Sequence, residues 1–144
     1  MDRNAQKTKA LTSAGLNLIA QALSIYDSDL RLVVSNRRFQ TMFDLPDALV
    51  APGARFDDTI RHLATKGEYG PVDDVDAFVA IRVDQARAFD PHYMERSRAN
   101  GRTISVEGAP LPQGGWVTVY TDITMMKETE ILLRARSEEL SERL

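Results

Sequence analysis

The spacing of apolar residues changes along this chain, and each change marks a different kind of element. Leu11, Gly15, Leu18, Ile19 and Ala22 recur on one face of a 3.6-residue period, which predicts an amphipathic helix near the amino terminus. Residues 22–36, ALSIYDSDLRLVVSN, hold two short aliphatic and β-branched runs around the turn formers Asp27, Ser28 and Asp29, which predicts a β-hairpin. Asn36 stands where a helix N-cap belongs, and Pro46 is expected to end the short helix that follows. Helical spacing returns at Phe56, Ile60, Leu63 and Ala64, stops at Gly67, and returns again over residues 75–89 through Phe78, Ile81, Arg82 and Gln85. After Pro91 the period falls to two. Residues 92–124 contain three strand-like runs, separated by Asn100-Gly101 and by Pro112-Gln113-Gly114-Gly115, both of which are hairpin chemistry.

Two strands before the central helices and three after them predict an α+β fold: one five-stranded antiparallel sheet with short helices packed on one face. The expected organisation is an amphipathic helical cap over residues 1–21, a core over residues 22–124 and a terminal helix over residues 125–144. That last helix has its own signature. Ile123, Met126, Glu130, Leu133, Ser137, Leu140 and Leu144 step alternately by three and four, the seam of a coiled coil with polar interruptions at Glu130 and Ser137. Such a seam calls for a partner helix and predicts a homodimer; the alternative is a solvated helix folding back on its own domain.

A chain of 144 residues with 43% hydrophobic and 27% charged residues is long enough for one domain with a core of its own. The 18 basic and 21 acidic side chains leave a net charge of -3, which argues against nucleic acid as a partner. No apolar run approaches the roughly 20 residues of a membrane span and the amino terminus lacks a signal-peptide centre, so a cytoplasmic location without a membrane partner is expected. The absence of cysteine excludes disulfides, thiolate nucleophiles, iron–sulfur sites and cysteinyl adducts.

The order of elements, ending in Thr121-Asp122-Ile123-Thr124 and a coiled coil, resembles a PAS domain, and more narrowly the PAS-7 subgroup. Lys66-Gly67-Glu68-Tyr69-Gly70 and Leu111-Pro112-Gln113-Gly114-Gly115-Trp116 are the most telling segments, and the likeness covers nearly the whole chain. Ala22 departs from the pattern, standing before the first strand where glycine is expected. The resemblance implies a pocket between sheet and helices. It also implies a signal junction at Asp122, Ile123 and Thr124 that couples the sheet to an outgoing helix. Asp122 or Thr124 would cap that helix while Ile123 anchors the junction in the dimer seam. Members commonly continue into a histidine kinase or diguanylate cyclase output domain.

Chemistry-bearing residues are few. Asp57, Asp58 and His62 share one predicted helix and His92 lies beyond; two histidines without cysteine make a poor metal site, and no nucleophile elbow is present, so neither catalytic nor metal residues are expected. Haem through His62, the one helical histidine, and flavin bound without an adduct are the cofactor alternatives that the resemblance brings; no cofactor is the favoured reading. Trp116 is a candidate to stack on a ligand ring. Arg37 and Arg38 read as a solvated basic face near a helix start. Arg82, Arg87, Arg96, Arg98 and Arg102 are scattered among acids, and a small apolar or carboxylate metabolite held by one or two of them is the expected class of small-molecule ligand.

Two functions compete. In the first, the module senses a signal, homodimerises through Leu11, Leu18, Ile19, Met126, Leu133, Leu140 and Leu144, and relays a change into a parallel coiled coil that controls an output domain. In the second, it is a passive assembly module whose core is filled by Phe39, Met42, Phe43, Phe56, Leu63, Phe78 and Ile81.

Overall fold

A computed structural model of the chain describes residues 3–17 and 20–142. Helix α1 (Arg3–Asn17) leads into a hairpin of β1 (Ala22–Tyr26) and β2 (Leu32–Ser35). Four helices follow: α2 (Arg37–Phe43), α3 (Asp47–Val50), α4 (Phe56–Lys66) and α5 (Val75–Arg87). Strands β3 (His92–Ser97), β4 (Thr103–Pro110) and β5 (Trp116–Asp122) complete the sheet, and α6 (Thr124–Glu142) leaves it.

The sheet is antiparallel throughout, in the order β2-β1-β5-β4-β3, so the α+β architecture expected from the sequence is the one observed. Because β1 pairs with β5, Ala22 lies opposite Tyr120, and the chain enters and leaves the sheet at the same end. Gln21 Nε2 donates to Thr121 Oγ1 at 2.8 Å there, tying the incoming segment to the outgoing one.

Local chemistry explains the elements. Asp27 accepts from the backbone N–H groups of Asp29 and Arg31, closing the first hairpin as an Asx turn. Asn36 caps α2 through Phe39 N and also holds Leu23 N and Gln21 O, so one buried carboxamide fixes both the helix start and the first strand. Pro46 does not end α2. Asp44 does, its N–H on Gln40 O and its backbone left-handed at φ 51°, and Pro46 instead stands at the N-cap of α3. Gly67 closes α4 at φ 92° as expected.

The core lies between the inner sheet face and α2 and α4, built on Ala22, Phe39, Phe43, Leu45, Leu63, Ile104 and Val106. Phe39 stacks on Tyr120 at 5.8 Å and Phe43 meets the same ring edge-on at 5.0 Å. Ala22 begins β1 and is fully buried in this cluster, so the alanine is accommodated without displacing the strand.

Candidate functional site

Alternation along the last three strands sends one set of side chains to the helix-covered face, and there the sheet is only partly covered. Helices α2 and α4 close one end; towards the β3 edge a half-open cavity of about 530 Å³ remains. Its floor is Trp116, Thr118 and Tyr120 from β5 with Val106 from β4. His92, Met94 and Arg96 from β3 form one side, Phe56 and Ile60 from α4 form the other, and Tyr69, Arg82, Gln85 and Ala86 close it from α5 and the segment before it.

Trp116 is central to this floor. Its indole crosses β4 over Gly108, where an added Cβ would lie 2.4 Å from Cζ2, and stacks on His92 with centroids 5.2 Å apart and planes 19° apart. Its Nε1 donates to Thr118 Oγ1 at 2.9 Å. Glycine at position 108 is therefore a packing requirement rather than a turn requirement. Gly115 meets a different constraint: φ is 101° and an added Cβ would lie 2.7 Å from Tyr26 O.

Behind the cavity sits a buried ion triad. Glu68 is 7% exposed and accepts from Arg96 Nη1 at 3.0 Å and from Arg98 Nε and Nη2 at 2.9 Å each. Arg98 Nη2 also donates to Met42 O, so the second guanidinium pins α2 to the sheet. Burial opposes ionisation of Glu68, yet the hydrogen bonds from Arg98 and Arg96 outweigh it and hold the carboxyl below its usual range. Arg82 and Arg96 both lie over the Tyr69 ring, 5.2 and 5.0 Å from its centroid, and burial pushes that phenol up. Tyr26, at the far side of Phe56, is pushed up to about 12 by burial.

At the other end of β5 the outgoing helix is fastened by its first turn. Asp122 accepts from Arg102 Nε at 2.7 Å and from Thr124 N at 3.0 Å, and these bonds hold its carboxyl far below the usual range. The Thr124 hydroxyl accepts from Thr103 N at 2.9 Å, and Lys127 Nζ reaches Glu95 on β3 at 2.7 Å. Ile123 is 5% exposed, so its side chain belongs to its own domain and not to an intermolecular seam; the exposed apolar row begins at Met126 and runs through Leu133 to Leu140. Leu11 is exposed on α1, while Leu18, Ile19 and Leu144 lie outside the described residues.

The other candidates separate. Asp57 pairs with Arg55 at 2.6 Å, while Asp58 and His62 line a shallow depression with Pro46 and Leu49 on the side of α4 away from the cavity. Haem bound through His62 does not fit, because the axial ligand would have to project where Phe56 and Ile60 do. A flavin fits poorly as well: its ring edge calls for several amide partners, and Gln85 is the one carboxamide among the lining residues. Of the scattered arginines, Arg82 and Arg96 meet at the cavity, Arg98 stands behind it, and Arg102 serves the junction. The expected filling of the core is partial, since Phe39 and Phe43 are buried but Ile81 is 58% exposed. Among the described residues no group of acids and histidines is placed to hold a metal ion, and no helix is long and apolar enough to cross a membrane.

Glu68 was not singled out on its own in the sequence. Its signal is an acid directly after a helix-closing glycine, together with two arginines at i and i+2, Arg96 in β3 and Arg98 just past its end.

The fold recurs in known structures. The PAS domain of Bordetella pertussis BvgS superposes with a TM-score of 0.60 at 16% identity, over 96% of this chain and 99% of that one. The phage VqmA–DPO complex superposes with a TM-score of 0.56 at 16% identity, over 96% of this chain and 62% of that one. An RNA-binding light-oxygen-voltage receptor gives 0.51 at 19% identity, over 99% and 40%. At these identities the likeness is one of fold. No curated protein is significantly similar to the chain in sequence. The PAS_7 model, described as a PAS fold, matches residues 16–131, and with the five-stranded sheet, its helical cover and the cavity between them this establishes that the chain belongs to the PAS fold family.

Proposed function

We propose that the chain is a sensory module that homodimerises and passes a change in its core, through Asp122, Ile123 and Thr124, into a parallel pair of α6 helices controlling a histidine kinase or diguanylate cyclase output domain. The organisation is a helical cap over residues 1–21, a PAS core over residues 22–124 and a signalling helix over residues 125–144, acting in the cytoplasm. The observation that carries this reading is the contrast within α6. Its first turn is bound to the sheet by Asp122, Thr124 and Lys127, whereas the apolar row that starts in that turn at Met126 and continues through Leu133 and Leu140 is 58%, 64% and 53% exposed, and no residue of the helix is buried. A row of apolar side chains that the domain leaves uncovered, on a helix whose base the sheet holds, suits a relay with a second copy of that helix.

PAS domains are generally regulatory rather than catalytic modules, and no catalytic family is indicated for this one. Passive assembly, with a core packed shut, fits less well, because about 530 Å³ stays open beside the sheet and Ile81, expected in the core, is exposed. The VqmA structure is described as a complex with DPO, which supports a ligand-binding role for this chain as well. Sedimentation velocity of the natural chain and of the Leu133→Glu, Leu140→Glu double variant tests the reading. A dimer that dissociates in the variant upholds it; a monomer, or a dimer indifferent to both substitutions, refutes it.

A further inference from the structure

The cavity carries a charge it does not itself satisfy. Arg96 shares Glu68 with Arg98, so two guanidiniums already face one carboxylate. Arg82 adds a third: its guanidinium rests on the rings of Tyr69 and Phe78, 5.2 and 5.0 Å from their centroids, and it forms no ion pair among the described residues. Asp90 at the rim is the one acid among the lining residues, so with Glu68 behind the cavity two carboxylates face three guanidiniums, which leaves the group with one positive charge over. Apart from Gln85 and Thr118 the remaining walls are mostly rings and aliphatic groups, with Trp116, Tyr69, Phe56 and Tyr120 contributing rings around a volume within the range of small-ligand pockets, about 300–1,000 Å³.

These features select a ligand. One uncommitted guanidinium balances a monoanion, and its planar fork matches a carboxylate through two parallel hydrogen bonds. A phosphate ester brings nearly two charges and finds here no second free cation among the described residues. Flat aromatic walls favour a flat ring over a branched aliphatic chain, because offset stacking adds to area burial. The geometry points to an aromatic monocarboxylic acid as the ligand of this cavity, its ring between Trp116 and Tyr69 and its carboxylate on Arg82. This inference rests on the sensory reading above and narrows it to a chemical class.

Calorimetric titration of the natural chain with 2-naphthoate, its neutral amide 2-naphthamide and cyclohexanecarboxylate tests it directly. The expected result is saturable binding of 2-naphthoate at one per chain, at least tenfold tighter than either of the others. Arg82→Gln should remove the advantage of acid over amide while leaving 2-naphthamide binding within twofold, and Arg82→Lys should restore part of it. Equal affinity for acid and amide in the natural chain, acid binding indifferent to Arg82→Gln, or no binding of any of the three overturns the assignment. The two readings fail separately: a chain that dimerises through α6 but binds no acid loses the ligand class and keeps the relay, and a monomer that binds 2-naphthoate through Arg82 does the reverse.

Discussion

Lys127, in the first turn of α6, and Glu95, in the middle of β3, meet at 2.7 Å, so an ion pair joins the edge strand of the sheet to the outgoing helix. Glu95 also accepts from the Tyr93 hydroxyl, while its neighbours Met94 and Arg96 line the cavity. β3 thus carries cavity wall at Met94 and Arg96 and, between them, the helix contact at Glu95. In the proposed relay this pair would give a ligand that shifts β3 a second route to α6, besides the one through Asp122.

An exposed pair of this kind contributes little to global stability, so Glu95→Gln should leave the melting temperature almost unchanged. Amide hydrogen exchange over residues 124–128 should nevertheless rise, because the first turn of α6 loses a tie to the sheet. Unchanged exchange there would remove Glu95 from the route.

Glu68 behaves differently because it is buried. Glu68→Ala leaves Arg96 and Arg98 facing each other without a counter-charge, and destabilisation by about 3 kcal/mol is expected in denaturant unfolding. A loss below about 1 kcal/mol would mean that the two guanidiniums find other partners.

The same carboxyl sets an acid limit. Glu68 and Asp122 have folded pKa values below their unfolded ones, so the stability they contribute is complete above about pH 5 and is lost as pH falls through about 4 and then through the lower folded values. Unfolding midpoints measured from pH 6 to pH 2.5 should fall with acidification, and the fall should be shallower in Glu68→Gln. Parallel curves for the two proteins would contradict this assignment.

Gly108→Ala drives a methyl into Trp116 and His92 and should destabilise the chain by about 1–3 kcal/mol. Trp116 is the chain's one tryptophan, so its emission reports the displacement without interference. An unshifted spectrum would show that the indole does not lie against this glycine.

Elements governed by nearest neighbours were legible in the sequence. The Asx turn at Asp27, the Asn36 cap and the Gly67 stop each depend on groups a few residues apart. Pro46 misled because a proline ends a helix and begins one equally well, and the choice was made by Asp44 adopting a left-handed conformation. The site was less legible because its parts are distant: Glu68 meets Arg96 and Arg98 across 28 and 30 residues, and Arg82 from α5 meets Arg96 from β3 on the same Tyr69 ring only through tertiary packing. Ile123 fits the heptad as well as Met126 does, and only its burial assigns it to the domain rather than to the seam.

The relay through paired helices is tested most directly by cysteine cross-linking, since the natural chain contains no cysteine. In a parallel, in-register pair of helices the two copies of position 140 face each other within the roughly 4.4–6.8 Å Cα separation that a disulfide spans. Leu140→Cys should therefore form a disulfide-linked dimer under mild oxidation, and Ala135→Cys, on the opposite side of the heptad, should not. Equal cross-linking at both positions, or none at position 140, would contradict the account.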